Sequence, residues 1–99
     1  MKLSYPACFY QDEETGNYVV EIPDLPGCVT GGATLEEAIR MAKDAAEGWL
    51  IDELEDGRVL PEASQIEKVD PDIGGTVRRL YDIDIGKARL IEHDLVEIN

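Results

Sequence analysis

Asp82 and Asp84 have the spacing in this chain that most resembles chemistry. On a strand, carboxylates at i and i+2 face the same side, and hard oxygen donors so placed are the beginnings of a Mg²⁺ site of the nuclease kind. No third carboxylate converges clearly with them, and a solvated strand face alternates in the same way. We therefore read the pair as a solvent-facing strand surface and keep it only as a weak metal candidate. Nucleophilic chemistry has less behind it. A serine or cysteine nucleophile needs a base within hydrogen-bond reach, and the lone histidine, His93, lies between Glu92 and Asp94 in a weakly patterned tail. Ser4 and Ser64 lie in no nucleophile elbow. Gly31-Gly32 and Gly74-Gly75 lack the lysine, or the glycine spacing, of a phosphate cradle. The expectation is a protein without catalytic residues or cofactor, not an enzyme.

Charge is the stronger signal. Twenty-two Asp and Glu against nine Lys and Arg give a formal net charge of −13 over 99 residues. Nucleic acids and anionic membrane surfaces are bound through Lys and Arg, so this balance argues against both as direct partners. It favours fast, salt-sensitive association with something basic, although high charge also simply keeps a small protein soluble. Asp52, Glu53, Glu55 and Asp56 crowd the end of a helical pattern, where the helix dipole already places negative partial charge. Each such placement is unfavourable by a few tenths of a kcal/mol, so the cluster reads as solubilising charge or as a docking surface for a basic partner.

The elements that must position these residues follow from pattern. Leu3 to Tyr10 reads as a first strand with Tyr5, Ala7 and Phe9 on one face, and Pro6 implies an edge position or a bulge. Gln11 to Asn17 is a carboxylate-rich turn, and Tyr18, Val20 and Ile22 alternate with Val19 and Glu21 to complete a hairpin. Pro23 and Pro26 stop the strand in Pro23-Asp24-Leu25-Pro26-Gly27. Val29 to Gly31 makes a short third strand, and Gly31-Gly32 allows a close backbone passage into a helix capped by Thr34 with Glu37 at capping-box spacing. That helix runs from about Leu35 to Asp56, about 33 Å, with Leu35, Ala38, Ile39, Ala42, Ala46, Trp49, Leu50 and Leu54 on one face. Trp49 should anchor the core with its indole N–H near a polar partner, and Gly48 suggests close approach of another backbone beside it. Residues 57–75 are loop-like, with Ile66 and Val69 as anchors. Thr76 to Ile85 forms the next strand, with Val77, Tyr81, Ile83 and Ile85 on one side, Arg78, Asp82 and Asp84 on the other, and Leu80 an exception. Residues 86–99 are weakly patterned: a turn or short helix and then a terminal strand. Cys8 and Cys28 read as reduced core thiols.

The run from Tyr5 to Leu50, with Tyr5-Pro6, the acidic turn ending at Gly16, Pro23-Asp24-Leu25-Pro26-Gly27-Cys28 and Thr34-Leu35-Glu36-Glu37-Ala38, resembles the amino-terminal domain of HicB-type antitoxins. The resemblance is close over residues 3–60 and continues weakly through the strand near Tyr81. With the element order ββ(β)αβ it implies a single α+β domain over residues 1–99. In it a small antiparallel sheet carries one long helix on one face, in a partial ribonuclease-H-like or ferredoxin-like arrangement. The resemblance further implies that the chain binds and occludes a small basic HicA-like toxin that cleaves messenger RNA. Asp52, Glu53, Glu55 and Asp56 are the candidate charged contacts, with Tyr10 and Leu25 as apolar anchors.

Many members of the family carry a DNA-reading segment after the last strand. Here about fourteen residues follow Ile85, with Lys87 and Arg89 set against Glu92, Asp94 and Glu97, so DNA binding is not carried over. The same departure leaves open an orphan oligomeric binding or scaffold domain with no toxin, and, further off, a divergent Mg²⁺-dependent nuclease through Asp82 and Asp84. No apolar stretch approaches the roughly 20 residues of a membrane span, and Met1 to Ser4 runs straight into a strand. The chain is therefore expected to be complete and cytoplasmic. Few strands leave edges to pair, so a homodimer or higher homo-oligomer is expected.

Overall fold

The structure, a computed structural model, describes residues 2–86. Alternation of apolar residues builds β1 (Lys2–Gln11) and β2 (Tyr18–Glu21) into a hairpin, and the short β3 (Val29–Gly32) pairs on the far side of β2. After α1 (Leu35–Glu55) and a long connection containing one 3₁₀ turn at Ile66–Lys68, β4 (Gly75–Asp84) returns along the other side of β1. The sheet order is β3-β2-β1-β4, antiparallel throughout, with the helix packed on one face. This is the expected α+β architecture.

The helix begins where the sequence places it. The Glu37 amide donates to Thr34 Oγ1 at 3.1 Å, and the Glu37 carboxylate reaches back to accept from the Ala33 amide at 2.8 Å. It ends in a Schellman motif: the Arg58 amide donates to the Glu53 carbonyl and the Gly57 amide to the Leu54 carbonyl, with Gly57 at φ 74°. Between the caps, Ala38, Ala42, Ala46 and Leu50 are buried along one stripe. Three alanines in a row of fours keep the backbone close to the sheet, and Tyr5, Phe9, Val20, Ile22, Leu25, Leu80 and Ile83 fill the space around them. The approach is closest at Gly32, where a Cβ would stand 2.6 Å from the Ala38 nitrogen. At Gly31 a Cβ would collide with the Tyr18 carbonyl oxygen, so both glycines are required by backbone proximity.

β1 is an inner strand, but the β2 ladder stops at Cys8, so Pro6 is paired only with Arg79 of β4, with a bulge just before it between Leu3 and Tyr5; locally it has the open side its ring needs. Two expectations about elements need correction. The β4 alternation is broken by a bulge: Leu3 pairs with Ile83 and Tyr5 with Leu80, so β4 carries one residue more than β1. Asp82 absorbs the extra residue at φ 58°, a left-handed conformation that Asp tolerates better than most. The bulge puts both Leu80 and Ile83 in the core and leaves Tyr81 exposed, which explains the apparent exception. Gly48 faces open space: nothing lies within 4 Å of the position a Cβ would take, so close backbone approach does not account for it.

Candidate partner-binding surface

The two sheet faces are unlike. Cross-strand pairs show which residues share the face opposite the helix: Tyr10 lies beside Val19, Cys8 beside Glu21, Val19 beside Gly31 and Glu21 beside Val29. Over the β1 side of this outer face the 57–74 connection is held by hydrogen bonds rather than by a continuous apolar layer. The Ser64 hydroxyl and amide donate to the two carboxylate oxygens of Asp24 at 2.6 and 2.8 Å. The Asp72 amide donates to the Tyr10 hydroxyl at 3.0 Å and Arg79 to the Ser64 carbonyl at 3.4 Å, while the Tyr5 hydroxyl, from the helix side of the sheet, donates to the Pro61 carbonyl at 2.6 Å near the start of the connection. Leu60 packs on the core, and Ile66 and Val69 are partly buried, as expected of anchors.

The expected contacts are therefore not equally available. Asp52, Glu55 and Asp56 are exposed at the helix end, while Glu53 is mostly covered and bonds Arg58 at 3.0 Å. Asp56 lies 3.8 Å from the same guanidinium, so Arg58, which carries no signal of this role in the sequence, partly neutralises the cluster. Tyr10 is half-buried with its hydroxyl engaged, so its first role is to hold the loop. Leu25 is corrected outright: its side chain is wholly buried, because the Pro23–Gly27 turn folds it inward, and it is not a surface anchor. The turn is held by the Leu25 amide on the Ile22 carbonyl and the Cys28 amide on the Leu25 carbonyl. Trp49 is partly buried and donates from its indole N–H to the Pro26 carbonyl at 3.0 Å, so it clamps this turn at the edge of the core.

Asp82 and Asp84 flank the buried Ile83, and the bulge breaks the regular alternation that would set them side by side. The Asp84 carboxylate accepts from the Gly86 amide at 3.0 Å, and its own amide donates to Glu47 on the helix at 3.2 Å. Among the described residues no group of three or more His, Cys, Asp or Glu is placed to hold a metal ion. His93 and the rest of the expected C-terminal extension beyond Gly86 lie outside the described residues. Cys8 and Cys28 are free and buried, and burial pushes both thiols up from their ordinary pKa; at Cys8 the nearby carboxylates of Glu21 and Asp72 add to this. Burial likewise raises the Tyr5 phenol, with Asp24 contributing. No helix among the described residues is long and apolar enough to cross a membrane.

Val19 belongs to this surface too, and the alternation of β2 is the signal that could have found it. It is an apolar residue on the outward parity of its strand, and in the structure it and Val29 are 51% and 54% exposed. The fold and this surface define a small α+β domain with a helix packed on one sheet face and an acidic, partly open outer face. Comparison with known proteins agrees. The family model of the HicB-like antitoxins of bacterial toxin–antitoxin systems matches residues 5–97, and the chain belongs to that family.

Antitoxin HicB 2 of Photorhabdus laumondii is 44% identical over 62 residues, a stretch that is 63% of this chain and 43% of that protein; the match thus spans less than half of that relative. The crystal structure of the N-terminal domain of the Burkholderia pseudomallei antitoxin HicB superposes with a TM-score of 0.67 at 26% identity, over 78% of this chain and 94% of that one. A chain of a toxin–antitoxin complex from Streptococcus pneumoniae shares the fold with a TM-score of 0.76 at 23% identity, over 89% and 73% of the two chains.

Proposed function

We propose that this antitoxin-family chain neutralises a small basic HicA-like toxin that cleaves messenger RNA, by covering the surface with which that toxin binds RNA. The observation that carries the reading is family membership over residues 5–97, in a chain whose net charge is −13. A protein that binds phosphate must present Lys and Arg, and an acidic domain competes with RNA for the same groups. Asp52, Glu53, Glu55 and Asp56 supply charged contacts or steering at the helix end, with Arg58 reducing the effect of Glu53 and Asp56. Inhibition is then occlusion and electrostatic complementarity, with no chemical step on this chain, and it acts in the cytoplasm where messenger RNA is translated. The chain acts as a homodimer or higher oligomer, for which the unpaired outer edges of β3 and β4 among the described residues are the available sites.

The test is capture of the tagged chain from its host lysate at low and moderate salt. A stoichiometric basic protein that cleaves RNA, and stops when this chain is added, is the expected result. Recovery of the chain alone as a homo-oligomer, repeated at low salt, would replace this reading with an orphan binding domain.

A further inference from the structure

The 57–74 connection covers the outer face over β1 but leaves Val19 and Val29, on adjacent strands at the β3 edge, half-exposed. They lie diagonally across the β2–β3 pair, each opposite a residue that does not shield it: Gly31 has no side chain, and Glu21 is itself exposed. Solvated positions of a two-layer sheet are ordinarily polar, and an exposed valine on the edge strand β3 beside another on β2 is an arrangement that natural sheets avoid unless the face is used.

The border of this patch is predominantly acidic. Between Lys2 and Arg40 the sequence has neither Lys nor Arg, while Asp12, Glu13 and Glu14 form the hairpin tip that leads into β2, and Glu21 lies beside Val29. On the loop side a hollow of about 270 Å³ is walled by Glu21, Asp70 and Asp72 over Cys8 and Tyr10, with Lys68 as its single cation among the described residues. An apolar centre with a charged rim is the usual anatomy of a docking surface.

We infer that this open half of the outer sheet face, centred on Val19 and Val29, is where the basic toxin docks. The inference rests on the antitoxin reading above and names the surface it uses. Aliphatic or aromatic side chains of the toxin cover the two valines, and its Lys or Arg side chains meet Glu21, Asp70 and Asp72 at the rim. Charge decides between occupants. A second copy laid on this face would bring two acidic rims together, whereas a phosphate-binding protein brings the opposite sign.

The test uses the full chain as bait in the host lysate, at one salt concentration, in four forms: wild type, V19D/V29D, V19T/V29T, and a helix-end variant with Asp52 and Asp56 changed to Asn. Both valines are exposed, so the sheet variants should melt within a few degrees of wild type, checked by circular dichroism. The threonine pair keeps the β-branched shape should the aspartates disturb folding. We expect V19D/V29D to lose at least about tenfold of the retained basic ribonuclease, as removal of a central apolar contact does. The threonine pair should lose less, and the helix-end variant less again. Wild-type retention by a folded V19D/V29D overturns the surface assignment while leaving the antitoxin reading intact. Capture of no ribonuclease by wild type overturns both. Loss of self-association in V19D/V29D, with ribonuclease retention unchanged, would assign the face to a second copy instead.

Discussion

The two faces of the sheet are closed by different physics. On one, α1 lays Ala38, Ala42, Ala46 and Leu50 against the strands, and the contact is apolar along its length. On the other, the 57–74 connection is tied down by a few polar bonds, Asp24 to Ser64 and Tyr10 to Asp72 chief among them, and it stops short of Val19 and Val29. Burial of apolar area is non-directional and additive, so α1 closes the sheet wherever its apolar stripe lies. Hydrogen bonds are local, so a loop held by them covers only where its bonds fall. The proposed docking surface lies on the face that folding leaves open.

The largest effect should come from the helix face. Leu50→Ala removes a wholly buried side chain and should lower the unfolding free energy by about 2–5 kcal/mol, read by urea titration with the whole chain unfolding together. Asp24→Ala tests the other face. It strips two hydrogen bonds from Ser64 and should cost about 1–3 kcal/mol. Its mark should be local, with amide exchange in residues 60–72 rising well before that of α1. A uniform rise through the helix as well would show that the two faces are not independently closed.

Thr34→Ala should cost about 1 kcal/mol through the lost helix cap, visible as a drop in melting temperature without change in the loop. Smaller still, Val29→Thr should alter stability by less than about 0.5 kcal/mol, since the residue is exposed; a large loss would mean that the open face is already covered in the free protein. Cysteine chemistry sharpens the same contrast from inside. Cys8 and Cys28 are buried with raised pKa, so at pH 8 both should react with iodoacetamide far more slowly in the folded chain than in urea. Faster labelling of Cys8 in Asp24→Ala, with Cys28 unchanged, would confirm that the loop alone guards the outer face.

Much of the fold is legible in the sequence because its signals are local. Thr34 and Glu37 are three residues apart, Gly57 sits at the helix end, and the alanine stripe repeats every four residues, so each is visible in a short window. The features that escape join distant segments or break a period. Asp24 and Ser64 are forty residues apart and leave no periodic trace. The bulge at Asp82 inverts the parity of β4 in mid-strand, so no single alternation puts both Leu80 and Ile83 in the core. Leu25 lies in a proline-rich turn, and such turns are usually exposed; only the tertiary clamp from Trp49 shows it folded inward. The candidate surface is half legible: charge marks the acidic helix end, but not that Arg58 answers it. Val19 is an outward valine in any reading of β2, but its exposure is visible only once the sheet is folded.

In the proposed function this chain stops an RNA-cleaving toxin by occupying its basic surface. The most direct measurement is RNA cleavage by the captured basic protein, titrated with the purified chain at two salt concentrations. The account predicts that cleavage ends near stoichiometric addition and that more chain is needed at the higher salt. Cleavage that persists in excess of a folded chain, at low salt, would contradict it.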